Sequence, residues 1–199
     1  MYDKSKDIIK PYKRLIIPNL LLISGSGKNS GKTYTACLII KKMMATYNIL
    51  ALKVSPHFHY GNPEDRSFII REETEKSKKN DSSRLLHSGA RKVYYIESPD
   101  AYLPEVLQYL GSEWDQKNRP VICESGGLIN YVHPGLHLYM TNNQEDLDSL
   151  QSSQKGIADN TLILSSASSG QIADRLSFYN NKWKIESEYD FIKHGIRSN

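Results

Sequence analysis

The stretch Leu20-Leu21-Leu22-Ile23-Ser24-Gly25-Ser26-Gly27-Lys28-Asn29-Ser30-Gly31-Lys32-Thr33 decides the fold. An apolar run of strand type feeds a glycine-rich turn that closes on Gly31-Lys32-Thr33. The residues that follow, Thr33 to Tyr47, recur at helical spacing, with Ala36, Ile39, Ile40 and Met43 on one face. Strand, glycine loop and helix in that order are the layout of a phosphate-binding P-loop. Each residue type has a reason: glycines let successive backbone N–H groups curl round phosphate oxygens, a lysine brings a point charge, and a threonine hydroxyl can ligate Mg²⁺. The pattern departs from G-x-x-x-x-G-K-S/T at its first position, where Ser26 stands between Gly25 and Gly27. Either the loop is one residue longer or a serine takes the first turn. A glycine loop with no phosphate role also joins strands to helices, yet here the flanking elements are the ones the phosphate reading requires.

Working outward, Ile49 to Val54 reads as a second strand, Lys92 to Ile96 as a third, Pro120 to Glu124 as a buried one, and Leu136–Met140 and Thr161–Ser165 as later ones. Helical signals fall between them, at Asp81–Gly89 and Ala101–Leu110. Ser55 to Asn80 reads as a long connection with two prolines, a glycine and a charged run, and is expected to act as a lid. At the end, Arg175–Tyr179 and Lys182–Glu186 flank Asn180-Asn181, a hairpin signature because asparagine tolerates positive φ. Alternating strands and helices predict an α/β class, a three-layer P-loop NTPase fold with a mostly parallel central sheet and a C-terminal β-hairpin. Residues 1–14 read as a flexible basic lead-in, with Pro18 setting a short apolar run apart from the main strand at 19–24, and residues 15–199 as a single domain.

Composition narrows the function classes. The net charge of +4 is spread in short clusters such as Lys4-Ser5-Lys6 and Lys76-Ser77-Lys78-Lys79, without the basic stripe and interleaved aromatics of a nucleic-acid groove. Two cysteines, Cys37 and Cys123, provide neither a disulfide framework nor a thiolate zinc site, which points to a reducing cytoplasm. No run reaches the apolar length of a membrane span, and Met1 to Lys13 is polar rather than signal-like, so no membrane partner is expected.

Ligands of open α/β sheets gather outside the carboxyl ends of strands. Ser24, Lys53, Asp81 and Glu124 fall at such ends or just beyond. The simpler readings are that Asp81 is a helix N-cap and that Lys53 snorkels from a strand end. Glu124 is harder to explain that way, because a carboxylate ending an apolar run costs energy unless paired or bound to a cation. Arg84 is either a solvated helix residue or an anion clamp. His57 and His59, at i and i+2, lack a third ligand in view and read as loop residues. Tyr94, Tyr95 and Trp183 read as packing. Thr141 to Asp146 follows a strand and is either a polar loop or a base-facing one.

The segments Gly27 to Thr33, Leu52-Lys53, Asp81-Ser82-Ser83-Arg84 with Gly89-Ala90, and Cys123-Glu124-Ser125-Gly126-Gly127 together resemble the molybdopterin-guanine dinucleotide biosynthesis protein B family of P-loop proteins, over residues 20–130. That family carries an Asn-Ser-Gly-Lys-Thr type loop, a lysine on the next strand and an Asp-Ser-x-Arg motif before Gly-Ala. This chain departs from it at Val54-Ser55, where the family often has His-Asp, and at Ser125, where it usually has glycine. The acidic strand end is also similar to that of dethiobiotin synthetase. By these resemblances Gly27, Lys28, Asn29, Ser30, Gly31, Lys32, Thr33 and Arg84 would hold GTP or ATP, Thr33, Asp81 and Glu124 would hold Mg²⁺, and Lys32, Lys53 and Glu124 would carry any NTPase chemistry. The expected partners are a nucleotide, a molybdenum cofactor processing enzyme and a second copy of the chain. Three functions stay open: an NTPase or adaptor in molybdenum cofactor guanine dinucleotide biosynthesis, an ATP-dependent small-molecule kinase or ligase, and a non-catalytic nucleotide-dependent interaction module. No Asn-Lys-x-Asp motif selects guanine.

Overall fold

Leu20, Leu21, Leu22 and Ile23 are all fully buried, and a strand that is apolar on both faces belongs in the middle of a sheet covered on both sides. In the computed structural model, which describes residues 13–58, 67–77, 79–114, 118–143 and 160–185, that is where β1 (Leu15–Gly25) lies. Its neighbours are β5 (Val121–Glu124) and β6 (Val132–Met140), both parallel to it. Beyond β5 come β2 (Leu50–Ser55), β4 (Lys92–Glu97) and β3 (Ile69–Glu72), and beyond β6 comes β7 (Thr161–Leu164), giving a seven-stranded sheet in the order β3-β4-β2-β5-β1-β6-β7. Only β3 runs antiparallel to its neighbour. The fold is α/β, and its sheet is mostly parallel.

Two apolar clusters cover the two faces. One joins Leu21 and Ile23 to α1 (Lys32–Met43), α2 (Asp81–His87) and α5 (Ser169–Arg175). The other joins Leu20 and Leu22 to α3 (Leu103–Tyr109), which is followed by the short α4 (Gly111–Trp114). The hairpin of β8 (Leu176–Tyr179) and β9 (Lys182–Ile185) turns on Asn180 and Asn181 at φ 49° and 59°. Two successive positive φ values match the twist of the flanking strands, which is why an Asn-Asn pair serves there. The hairpin is pinned to the sheet by Trp183, whose ring is buried and whose Nε1 donates to the Asn19 carbonyl at 2.7 Å.

Several boundaries differ from the sequence expectations. Pro18 lies inside β1 rather than before it: the β1–β6 register shifts between Ile17 and Leu21, so the missing N–H falls at an irregularity. Gly135 on β6 faces it so closely that a Cβ there would lie 1.9 Å from the Pro18 carbonyl oxygen. The connection across 55–80 is not a loop throughout, because Ile69–Glu72 pairs with β4 as an edge strand; residues 59–66 and 78 lie outside the described residues. Helix α5 carried no clear sequence signal. Among the described residues no helix is long and apolar enough to cross a membrane. The basic lead-in at 1–12 and His59 fall outside the described residues.

Candidate functional site

The turn between β1 and α1 needs its glycines. A Cβ on Gly25 would meet the Met140 carbonyl oxygen at 2.2 Å, and one on Gly31 would meet the Ser166 Cβ at 2.8 Å. Gly27, Asn29 and Gly31 all have positive φ, at 152°, 62° and 90°. Loops from two other strand ends hold the turn in place. Ser26 N donates to the Met140 carbonyl at 3.1 Å and Ser26 Oγ to Thr141 Oγ1 at 3.1 Å. Asn142 bridges the loops: its Nδ2 donates to the Asn29 carbonyl at 3.4 Å and its Oδ1 accepts from Ser166 N at 3.0 Å. Thr141 and Asn142 thus support the glycine turn, a role their polar character alone did not reveal.

Helix α1 starts at this turn with nothing to satisfy its positive end. Gly31 has no side chain to cap it and no acidic residue lies in the first turn. Lys32 folds back over the loop, donating to the Gly27 carbonyl and to Ser30 Oγ at 2.8 Å. Burial lowers the Lys32 pKa, and the nearby Lys53 ammonium adds to that, against an opposing pull from Glu124. A cation whose charge is disfavoured by burial gains from a nearby anion.

Thr33, one residue on, donates through Oγ1 to Glu124 Oε2 at 2.7 Å. Glu124 is 3% exposed at the carboxyl end of β5, and its other oxygen accepts from Lys53 Nζ at 2.5 Å. Lys53 reaches across to Asp81 Oδ2 at 2.9 Å as well. Burial alone would lower the Lys53 pKa, but the charges and hydrogen bonds of Glu124 and Asp81 outweigh it and raise the value. For Asp81, burial works upward and is overcome by Lys53, then by Thr33 and Arg84, so the carboxyl sits below its usual range.

Asp81 is free to face Lys53 because it is not the helix cap. Asn80 caps α2, its Oδ1 accepting from Ser83 N at 2.9 Å. The reading of Asp81 as a plain N-cap is therefore wrong by one residue. Arg84 lies one turn along α2, 3.4 Å from Asp81 Oδ1, and faces the groove between α1 and α2. Its only ion pair among the described residues is with Asp81.

The cluster extends along the sheet. The strand pairings put Arg71, Tyr95, Lys53 and Glu124 in one row across β3, β4, β2 and β5, with Glu97 and Ser55 paired in the next row. Tyr95, read from sequence as packing, bonds through its hydroxyl to Ser55 and Glu97. Glu97, 1% exposed, also accepts from Arg71 Nη1 at 3.3 Å. His57 is exposed, and its carbonyl accepts from Ser55 Oγ at 3.1 Å. On the far side of β1, Ser24 Oγ pairs with His137 Nε2 at 2.7 Å, and His137 Nδ1 with Thr161 Oγ1 at 3.0 Å. Ser24 therefore points into a buried polar chain linking three strands, and burial depresses the His137 pKa to about 4. No family model, curated protein or solved structure matches this chain.

Chemically, the arrangement combines an uncapped helix N-terminus, a lysine folded over the turn, a buried hydroxyl–carboxylate pair and a second carboxylate. Two carboxylates and a hydroxyl are hard oxygen donors, the set that suits Mg²⁺. Among the described residues no group of three or more His, Cys, Asp or Glu could hold a metal ion unaided.

Proposed function

We propose that this chain binds a nucleoside triphosphate with Mg²⁺ where the 25–31 turn, α1 and the ends of β2 and β5 meet, the turn acting as a P-loop. The observation that carries the reading is the Thr33–Glu124 contact of 2.7 Å beside the uncapped start of α1, with Lys32 on the same turn. The hydrogen bond satisfies a buried carboxylate, and it brings together two hard oxygen donors at the start of α1, where a shared cation could use both.

In this reading the loop amides and the positive end of α1 hold phosphate oxygens, and Lys32 exchanges its bonds to Gly27 and Ser30 for them. Thr33, Glu124 and Asp81 would hold Mg²⁺, whose contribution when bound is to offset phosphate charge. Lys53 neutralises Glu124 and Asp81 and stands ready to shift toward added negative charge. The function we favour is NTPase or adaptor activity in molybdenum cofactor guanine dinucleotide biosynthesis, on the strength of the four segments that resemble that family. A kinase or ligase acting on a small molecule is the second reading, favoured by the polar row beyond Lys53, where Ser55 and Glu97 pair across β2 and β4 beside Tyr95.

Isothermal titration with Mg²⁺ and GTP or ATP tests nucleotide binding. Copurification of a molybdenum cofactor processing enzyme supports the first role, and acceptor-dependent phosphate release supports the second. Absence of binding to either nucleotide rejects both.

A further inference from the structure

Helices α1 and α2 both descend from the site end of the sheet, and a cavity of about 540 Å³ lies between them. Along α1 the wall is Tyr34, Leu38 and Lys41, spaced i, i+4 and i+7 and so on one face. Across from it stands Arg84 on α2, and Lys76 and Lys79 close the groove from the preceding loop. Among the described residues, no aspartate or glutamate lines this cavity. Lys41, Lys76 and Lys79 form no ion pair among the described residues, and Arg84 has only its 3.4 Å contact with Asp81.

Surfaces ordinarily intersperse the two signs, because gathering cations in a concave wall costs repulsion and focuses a positive field. Here a chain of net charge +4 directs four cationic side chains into one groove. The same groove has an apolar strip: Tyr34 is 53% exposed, with Leu38 one turn further. Its volume is in the range of small-ligand sites, which pair apolar lining with a few convergent polar groups. We propose that this groove is a second binding site, taking a small organic polyanion whose anionic groups meet Lys41, Lys76, Lys79 and Arg84 while its apolar body lies on Tyr34 and Leu38. The site goes beyond the nucleotide reading, since its lysines belong to neither the 25–31 turn nor the Thr33–Glu124 cluster. It adjoins that cluster through the Arg84–Asp81 pair.

The test uses pyranine, a fluorescent trianion with a planar apolar body, titrated into the full chain and followed by fluorescence polarisation. One equivalent binds at low salt, and binding weakens as salt rises. The double variant Lys41→Gln/Lys79→Gln changes two exposed residues, folds as judged by circular dichroism, and binds pyranine about tenfold or more weakly, in line with the loss of two charge contacts. In that variant the affinity for Mg²⁺-nucleotide is unchanged, and in Lys32→Ala pyranine binding is unchanged. Failure of the wild type to bind pyranine, equal binding by the double variant, or loss of pyranine binding in Lys32→Ala overturns the proposal. Pyranine binding that depends on Lys41 and Lys79 in a protein that takes no nucleotide would reject the nucleotide reading and leave the groove site standing.

Discussion

Replacing Lys53 by methionine keeps a stem of about the same length and removes the ammonium that sits 2.5 Å from Glu124 and 2.9 Å from Asp81. Breaking a buried ion pair from one side costs about 3–5 kcal/mol, because the other charge stays buried without its partner. Glu124, at 3% exposure, bears most of this. Asp81 is 39% exposed, so its share is screened and adds little. Thr33 still donates to Glu124 at 2.7 Å and offsets part of the loss, which brings the expected cost to about 3 kcal/mol at pH 7. Urea unfolding of wild type and Lys53→Met at pH 7 reads the effect. Mg²⁺ should recover more stability in the variant than in the wild type, since it supplies the missing positive charge. Equal stability at pH 7, or a gain from Mg²⁺ no greater in the variant than in the wild type, would refute the view that Lys53 holds the two carboxylates together.

The buried His137 sets a pH dependence: with its pKa depressed from 6.5 to about 4, the unfolded chain binds a proton that the folded chain does not, so stability is full above pH 6.5 and falls by about 3 kcal/mol on the way to pH 4. Urea midpoints across that range should show the fall, and His137→Gln should flatten it. Asn80→Ala removes the α2 cap at Ser83 N and should cost about 1 kcal/mol in unfolding experiments, with Mg²⁺-nucleotide affinity preserved within about twofold because Asp81 keeps its contact with Lys53.

The central strands and the glycine turn were legible because their signals are local. Four consecutive buried apolar residues in β1, Gly-Lys-Thr at the start of α1 and Asn-Asn between β8 and β9 each fix their surroundings by backbone sterics or by the need to bury both faces of a strand. Helix α5 escaped notice because its Ser-Gly-Gln start has little helix propensity, and its packing of Ile172 and Ala173 on α1 decides the matter. Strand β3 was hidden in a charged run for a similar reason: its edge position and its ion pair from Arg71 to Glu97 come from the partner strand, not from its own alternation. Within the site, Lys53, Asp81 and Glu124 could be placed at strand and helix ends, but their convergence depends on β5 lying between β1 and β2, an order that no local pattern specifies. The polar role of Tyr95 depends on the register across strands, and that of Asn142 on two loops, at Asn29 and Ser166, that are distant in sequence.

Isothermal titration of Mg²⁺-ATP and Mg²⁺-GTP into wild type, Lys32→Ala and Glu124→Gln tests the central claim most directly. If the 25–31 turn is a phosphate cradle, the wild type binds at least one of the two nucleotides with one site per chain. Lys32→Ala should weaken that binding by about 2–3 kcal/mol, the size of a lost charge-assisted contact. Glu124→Gln should weaken it only when Mg²⁺ is present. A wild type that binds neither nucleotide, or a Lys32→Ala variant that folds and binds as tightly as the wild type, would contradict it.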